Sequence, residues 1–114
     1  MIKASLKFVE IQEIKKIFQE NSLYKFFTSS EIPNPIRKTS FTNLAGKLAG
    51  KKSFLDVIGE NVKFNELEII NISSGRPKIK ILNPKLKNKI NLNKISISIS
   101  HTKFLAVAVC VIYE

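Results

Sequence analysis

Two adjacent lysines on one helical stretch, a lone histidine and a lone aspartate are the residues of this chain best suited to chemistry. In LAGKLAGKKSFLDVIG, residues 44–59, a turn of about 100° per residue puts Leu44, Leu48, Leu55 and Ile58 on one stripe, with Lys51 on the stripe and Lys52 at its border. A lysine so placed either runs its aliphatic stem out to water or faces an anion held against the protein. His101 is the only histidine and Asp56 the only aspartate. Any Ser-His-Asp triad would have to pass through them, and neither has a sequence neighbour that defines one. No Cys/His spacing suggests zinc. His101 falls at a strand-to-strand turn, where a plain turn residue is the ordinary reading, yet Ser98, Ser100 and Thr102 offer hydroxyls beside it suited to phosphate or adenine contacts. Gly75-Arg76-Pro77 is by itself a hairpin turn. Cys110, in an apolar run with nothing basic adjoining it, reads as a small core residue rather than a nucleophile.

The elements that must position these residues follow from periodicity. Met1 to Leu6 is a strand or an extended lead-in. Val9, Ile11, Ile14, Ile17 and Phe18 have helical spacing and predict a first amphipathic helix of roughly three turns. Leu23 to Phe27 adds aromatic mass, and Thr28-Ser29-Ser30-Glu31 has capping-box spacing. The prolines at 33 and 35 preclude a long helix there, so Ile32 to Phe41 is expected to be a polar, mobile loop leading into the helix that Gly59 ends. Phe64 to Ile72 and Lys78 to Ile81 read as a hairpin over 64–82, joined by the turn Ser73-Ser74-Gly75-Arg76-Pro77. Asn83 to Lys94 is expected to be a loop. Ile95 to Ser100 alternates strictly, isoleucines on one face and serines on the other. Phe104 to Tyr113 is a continuous apolar run, expected to be a strand buried on both faces. The fold class is α+β, N-terminal helices packed on an antiparallel sheet.

Composition bounds the rest. A chain of 114 residues with 44% hydrophobic and 25% charged residues is expected to form a single domain, 1–114, with a real core. No run approaches the ~18 apolar residues of a membrane span, the first residues lack the uninterrupted apolar segment expected of a signal peptide, and one cysteine allows no internal disulfide. A cytoplasmic protein is the simplest account. Nineteen Lys and Arg against nine Asp and Glu give a net charge of +10, which would attract nucleic acid, anionic membrane, phosphorylated ligands or an acidic protein. Seventeen lysines accompany seventeen isoleucines and ten asparagines, a bias that AT-rich coding also produces. The lysines are scattered and not interleaved with aromatics, so a basic nucleic-acid-binding module ranks below other readings.

The order VEIQEIKKI at 9–17, TSSE at 28–31, LAGKLAGKKSF at 44–54, GRP at 75–77 and SISHTKFLAVAVCVI at 98–112 resembles the holo-acyl-carrier-protein synthase family over nearly the whole chain. These small transferases move 4′-phosphopantetheine from coenzyme A to a serine of acyl carrier protein. The resemblance implies a phosphopantetheinyl transferase-like fold, commonly a homotrimer with sites between subunits. It implies coenzyme A bound by Lys47, Lys51, His101, Thr102 and the turn Gly75, Arg76, Pro77. It also gives the first helix, through Glu13, Lys15 and Lys16, the docking of an acidic carrier, to which a positive chain is suited. Fatty acid biosynthesis is the setting that the family implies.

The departures fall on functional positions. The family's aspartate before VEI is Lys7 here, and the glutamate after its central-helix lysine is Lys52. Those carboxylates hold Mg²⁺ in the family, and ammonium groups cannot. The family's lysine one turn later is Asp56 here, and the arginine of its first helix is Glu13. Three expectations follow: a metal-independent transferase in which Lys7 and Lys52 supply fixed positive charge, with Asp56 and His101 the nearby base candidates; an inactive relative that binds coenzyme A or carrier; or a local realignment in which Glu10 or Glu13 supplies a metal ligand.

Overall fold

In a computed structural model of the chain, which describes residues 1–71 and 75–113, the C-terminal apolar run becomes the middle strand of a sheet. Strands β1 (Ile2–Glu10), β4 (Ile95–His101) and β5 (Leu105–Tyr113) pair antiparallel in the order β1-β5-β4. Register sets Lys7 and Ile99 on either side of Ala108, and Val9 and His101 on either side of Ala106. One face therefore carries Ser5, Lys7, Val9, Ala106, Ala108, Cys110, Ile97, Ile99 and His101.

Helix α2 (Lys38–Ile58) lies on that face. Its far side is covered by a second, two-stranded antiparallel sheet, β2 (Leu67–Asn71) with β3 (Pro77–Ile81), and by the segment that follows helix α1 (Ile11–Gln19). Small residues on both partners permit the approach. Opposite the helix β5 presents Ala106, Ala108 and Cys110, all without exposed surface. Where β4 presents isoleucines the helix presents glycines: a Cβ on Gly46 would lie 2.9 Å from Ile99 Cγ2, and one on Gly50 would lie 3.1 Å from Ile97 Cδ1 and 3.3 Å from Ile69 Cδ1. The sheet and the hairpin thus meet the helix at one residue. Leu44, Leu48 and Phe54 are buried between them, each contributing about 1.5–3 kcal/mol.

Several boundaries differ from the sequence reading, for local reasons. The lead-in strand runs through Glu10, so Val9 is a sheet residue and the first helix starts at Ile11; a strand therefore precedes the helices. Helix α2 starts at Lys38, inside the expected loop, because the Ser40 hydroxyl accepts the Arg37 N–H at 3.0 Å and caps it. It ends as expected at Gly59, whose φ of 68° is left-handed. Asn83 to Lys94 is not a loop: the Asn83 side chain accepts Leu86 N–H, Pro84 opens helix α3 (Pro84–Lys89), and Leu86 is buried. The hairpin forms, with a 3-10 turn over Phe64–Glu66 ahead of β2. Ile72, Ser73 and Ser74 of its expected strand and turn lie outside the described residues. Strand β5 is buried on one face, not two. Val107, Val109 and Val111 are half-buried, beside exposed Ile2, Leu6 and Phe8 of β1 and exposed Ser96, Ser98 and Ser100 of β4.

The substitution Gly46→Val tests the close approach. Valine would force its branched carbons into Ile99, and overpacking of this kind costs about 1–3 kcal/mol. Urea unfolding should show that loss, whereas Gly59→Ala, where no atom lies within 4 Å of the added carbon, should show only the smaller penalty of a left-handed φ.

Candidate functional site

A cleft of about 460 Å³ opens beside the N-terminal half of α2. Lys47 enters it from the helix, His101 from the end of β4, and Gly75 and Pro77 from the turn into β3, with Ser30 and Asn71 completing the polar wall. Local structure sets each of these. His101 shares the inward face of β4 with Ile97 and Ile99. Gly75 has a φ of 83°, which a side chain would oppose. Asn71 is register partner to Pro77 across the hairpin. A lysine, a histidine and amide side chains around an open cleft suit an anionic ligand with hydrogen-bonding groups.

The remaining residues expected at this site are placed elsewhere. Lys51 is fully buried, and its ammonium donates to Glu31 Oε1 at 2.5 Å, Phe26 O at 2.7 Å and Phe64 O at 2.9 Å. All three donors are engaged by the protein, so neither the snorkel nor a bound phosphate is its fate; its anion is Glu31. That carboxylate also accepts Thr28 N–H and Ile69 N–H, while the Thr28 hydroxyl donates to Glu68. Half of the capping box at 28–31 thus forms without a helix after it. Burial lowers the Lys51 pKa below the ordinary lysine value, and the hydrogen bond and charge of Glu31 oppose that shift. Arg76 is exposed and lines a separate shallow groove with Lys78. The Thr102 hydroxyl accepts Phe104 N–H and Leu105 N–H and holds the β4–β5 turn. Ser98 and Ser100 lie on the opposite sheet face from His101. Burial pushes the Cys110 thiol up to about 11, in keeping with a core residue.

A second cluster lies where β1, α1 and α2 meet. Lys7 Nζ stands 3.8 Å from Asp56 Oδ2, which accepts the Ser5 hydroxyl at 2.7 Å, and Lys52 Nζ stands 3.6 Å from Glu13 Oε1. The four residues at which the resemblance implied departures in charge therefore form two matched ion pairs. Glu13 is tied to the central helix, while Lys16 is exposed and Lys15 half-buried beside Phe104. The residues present do not fit a divalent cation at this place. Both expected ligand positions carry ammonium groups, and the two carboxylates answer different lysines. Glu10 cannot substitute, because it alternates onto the sheet face opposite Lys7. Among the described residues no group of three acidic, histidine or cysteine side chains could hold a metal.

No protein-family model matches the chain. It is 34% identical to the holo-[acyl-carrier-protein] synthase of Alkaliphilus metalliredigens, an alignment covering 95% of this chain and 96% of that protein. Two solved structures share the fold. The holo-[acyl-carrier-protein] synthase of Neisseria meningitidis superposes with a TM-score of 0.84 at 19% identity, over the full length of both chains. That of Helicobacter pylori, in complex with coenzyme A, does so with 0.78 at 24%, over 97% of this chain and all of that one.

Lys51→Met should lower the unfolding free energy by about 3–5 kcal/mol, since it strands a buried carboxylate. Adding Glu31→Gln should recover part of the loss in a double-mutant cycle read by urea unfolding. A Lys51 engaged with a ligand instead would leave stability nearly unchanged when removed.

Proposed function

The chain belongs to the holo-[acyl-carrier-protein] synthase family, and from that membership we propose that it transfers 4′-phosphopantetheine from coenzyme A to a serine of acyl carrier protein. The serine oxygen forms a new bond to the phosphorus that carries pantetheine, the bond from that phosphorus to the 3′,5′-ADP leaving group breaks, and the serine proton is released. The observation that carries this reading is the convergence of Lys47, Gly75, Pro77 and His101, from three places in the sequence, on one cleft. Lys47 and His101 contribute to phosphate binding there, and the Gly75 to Pro77 turn takes the nucleotide. A cytoplasmic setting and a carrier that serves fatty acid biosynthesis belong to the same proposal, as does a single catalytic domain over 1–114.

We further propose a homotrimer with its sites between subunits. Lys47 and Lys52 are five residues apart, about 140° around a helix axis, so the cleft and the ion-pair cluster do not face one ligand within a single chain. A neighbouring subunit would bring the two halves together. The uncovered sheet face supports such a partner: Ile2, Leu6 and Phe8 are 73%, 62% and 60% exposed in the isolated chain, next to Val107, Val109 and Val111. A contiguous apolar face of this kind is characteristic of an interface. Exposed Lys16 and half-buried Lys15 of α1 then meet the acidic carrier.

Incubation with coenzyme A and apo acyl carrier protein, read by carrier mass, tests the activity. His101→Ala should raise KM for coenzyme A by about tenfold, a loss of ~1.4 kcal/mol of binding. An unmodified carrier, with a control transferase active on it, would refute the reading. Leu6→Ser with Phe8→Ser should shift the assembly to monomer in sedimentation and abolish transfer while leaving the helical spectrum intact.

A further inference from the structure

We infer that this chain meets the diphosphate of its substrate with fixed ammonium charge, from Lys7 and Lys52, in place of a bound divalent cation; the inference rests on the transferase reading above. The observation behind it is the contrast among lysines of one core. Lys51 donates at 2.5, 2.7 and 2.9 Å to three protein acceptors and is sealed. Lys7 and Lys52 stand 3.8 and 3.6 Å from their carboxylates, beyond hydrogen-bonding distance, and make no hydrogen bond among the described residues. Their side chains keep 43% and 32% of their surface exposed. Each ammonium is thus oriented by a carboxylate while its three N–H donors remain free for phosphate oxygens.

The carboxylates serve as positioning residues. Asp56 is fixed by the Ser5 hydroxyl at 2.7 Å and holds Lys7 from α2, and Glu13 holds Lys52 from α1. A divalent cation entering the cluster would face two ammonium groups, and binding it would require both ion pairs to open. An anion can be met without that cost, since the ammonium groups can turn from their carboxylates without leaving the surface. The pairing is self-consistent: position 7 answers position 56, and position 52 answers position 13. Such compensation keeps two cations at the surface without net charge in the ligand-free cluster.

Calorimetry of the full-length protein with coenzyme A, in chelator and in millimolar Mg²⁺ at matched ionic strength, tests the inference. Less than about a threefold change in Kd is expected; a larger gain with Mg²⁺ overturns it. Mn²⁺ alone, followed by electron paramagnetic resonance, should stay free in the presence of the wild-type protein and bind to the Lys7→Asp, Lys52→Glu double variant, which assembles four carboxylates. Mn²⁺ bound by the wild-type protein in place of Mg²⁺ at this cluster, lost in Asp56→Asn with Glu13→Gln, overturns the inference. Carrier mass separates the two readings. Transfer that persists in chelator supports both. Transfer that requires Mg²⁺ overturns the inference and leaves the transferase standing. Absence of coenzyme A binding under either condition overturns the transferase reading and the inference with it.

Discussion

A helix of 21 residues sunk into the middle of a small α+β fold must satisfy two neighbours at once, and most features of this protein answer that constraint. The sheet on one side and the hairpin on the other reach α2 at Gly50, where their isoleucine tips leave barely room for a hydrogen. Close packing of this order transmits displacement rather than absorbing it. The segment after α1 completes the enclosure by sending Glu31 to Lys51, so a single carboxylate joins α2, the Thr28 turn and the edge of β2. A buried ion pair is an expensive way to hold three segments. It succeeds because every donor of the ammonium and both oxygens of the carboxylate have partners.

The same helix displays three lysines in three environments, and the environments divide their work. Lys51 is sealed in the core, Lys47 enters the cleft with His101, and Lys52 lies on the far side opposite Glu13. Five residues separate Lys47 from Lys52, and helical geometry sends them to different surfaces. The uncovered valines, leucine and phenylalanine on the outer sheet face make a proposed assembly the natural route by which the halves combine.

Two lysines at positions 7 and 52 would be costly on their own, because they would set like charges together without counter-ions. Here Asp56 and Glu13 supply the counter-ions from the neighbouring turn of α2 and from α1. The four charged residues thus form two matched pairs rather than four isolated charges. Each ion pair is partly exposed and contributes little to stability; its effect is on where each lysine's ammonium is held.

Periodicity and resemblance in the sequence were enough to determine the α+β class, the central helix with its glycine stop, the hairpin, the alternation of β4 and the family. The cleft was legible in Lys47, Gly75, Pro77 and His101, because the motifs that carry the resemblance include them. Helix α3 was written in Asn83-Pro84, a cap followed by a first-turn proline, beneath a composition that reads as loop. Tertiary structure alone decided the fate of Lys51. A lysine on an apolar stripe has the same local sequence whether it reaches water, ligand or a carboxylate, and Glu31, twenty residues away, is brought to it only by the chain's path. The pairing of Lys7 with Asp56 and Lys52 with Glu13 was equally invisible, since an ion pair depends on distance between elements, and spacing along the chain does not encode that distance.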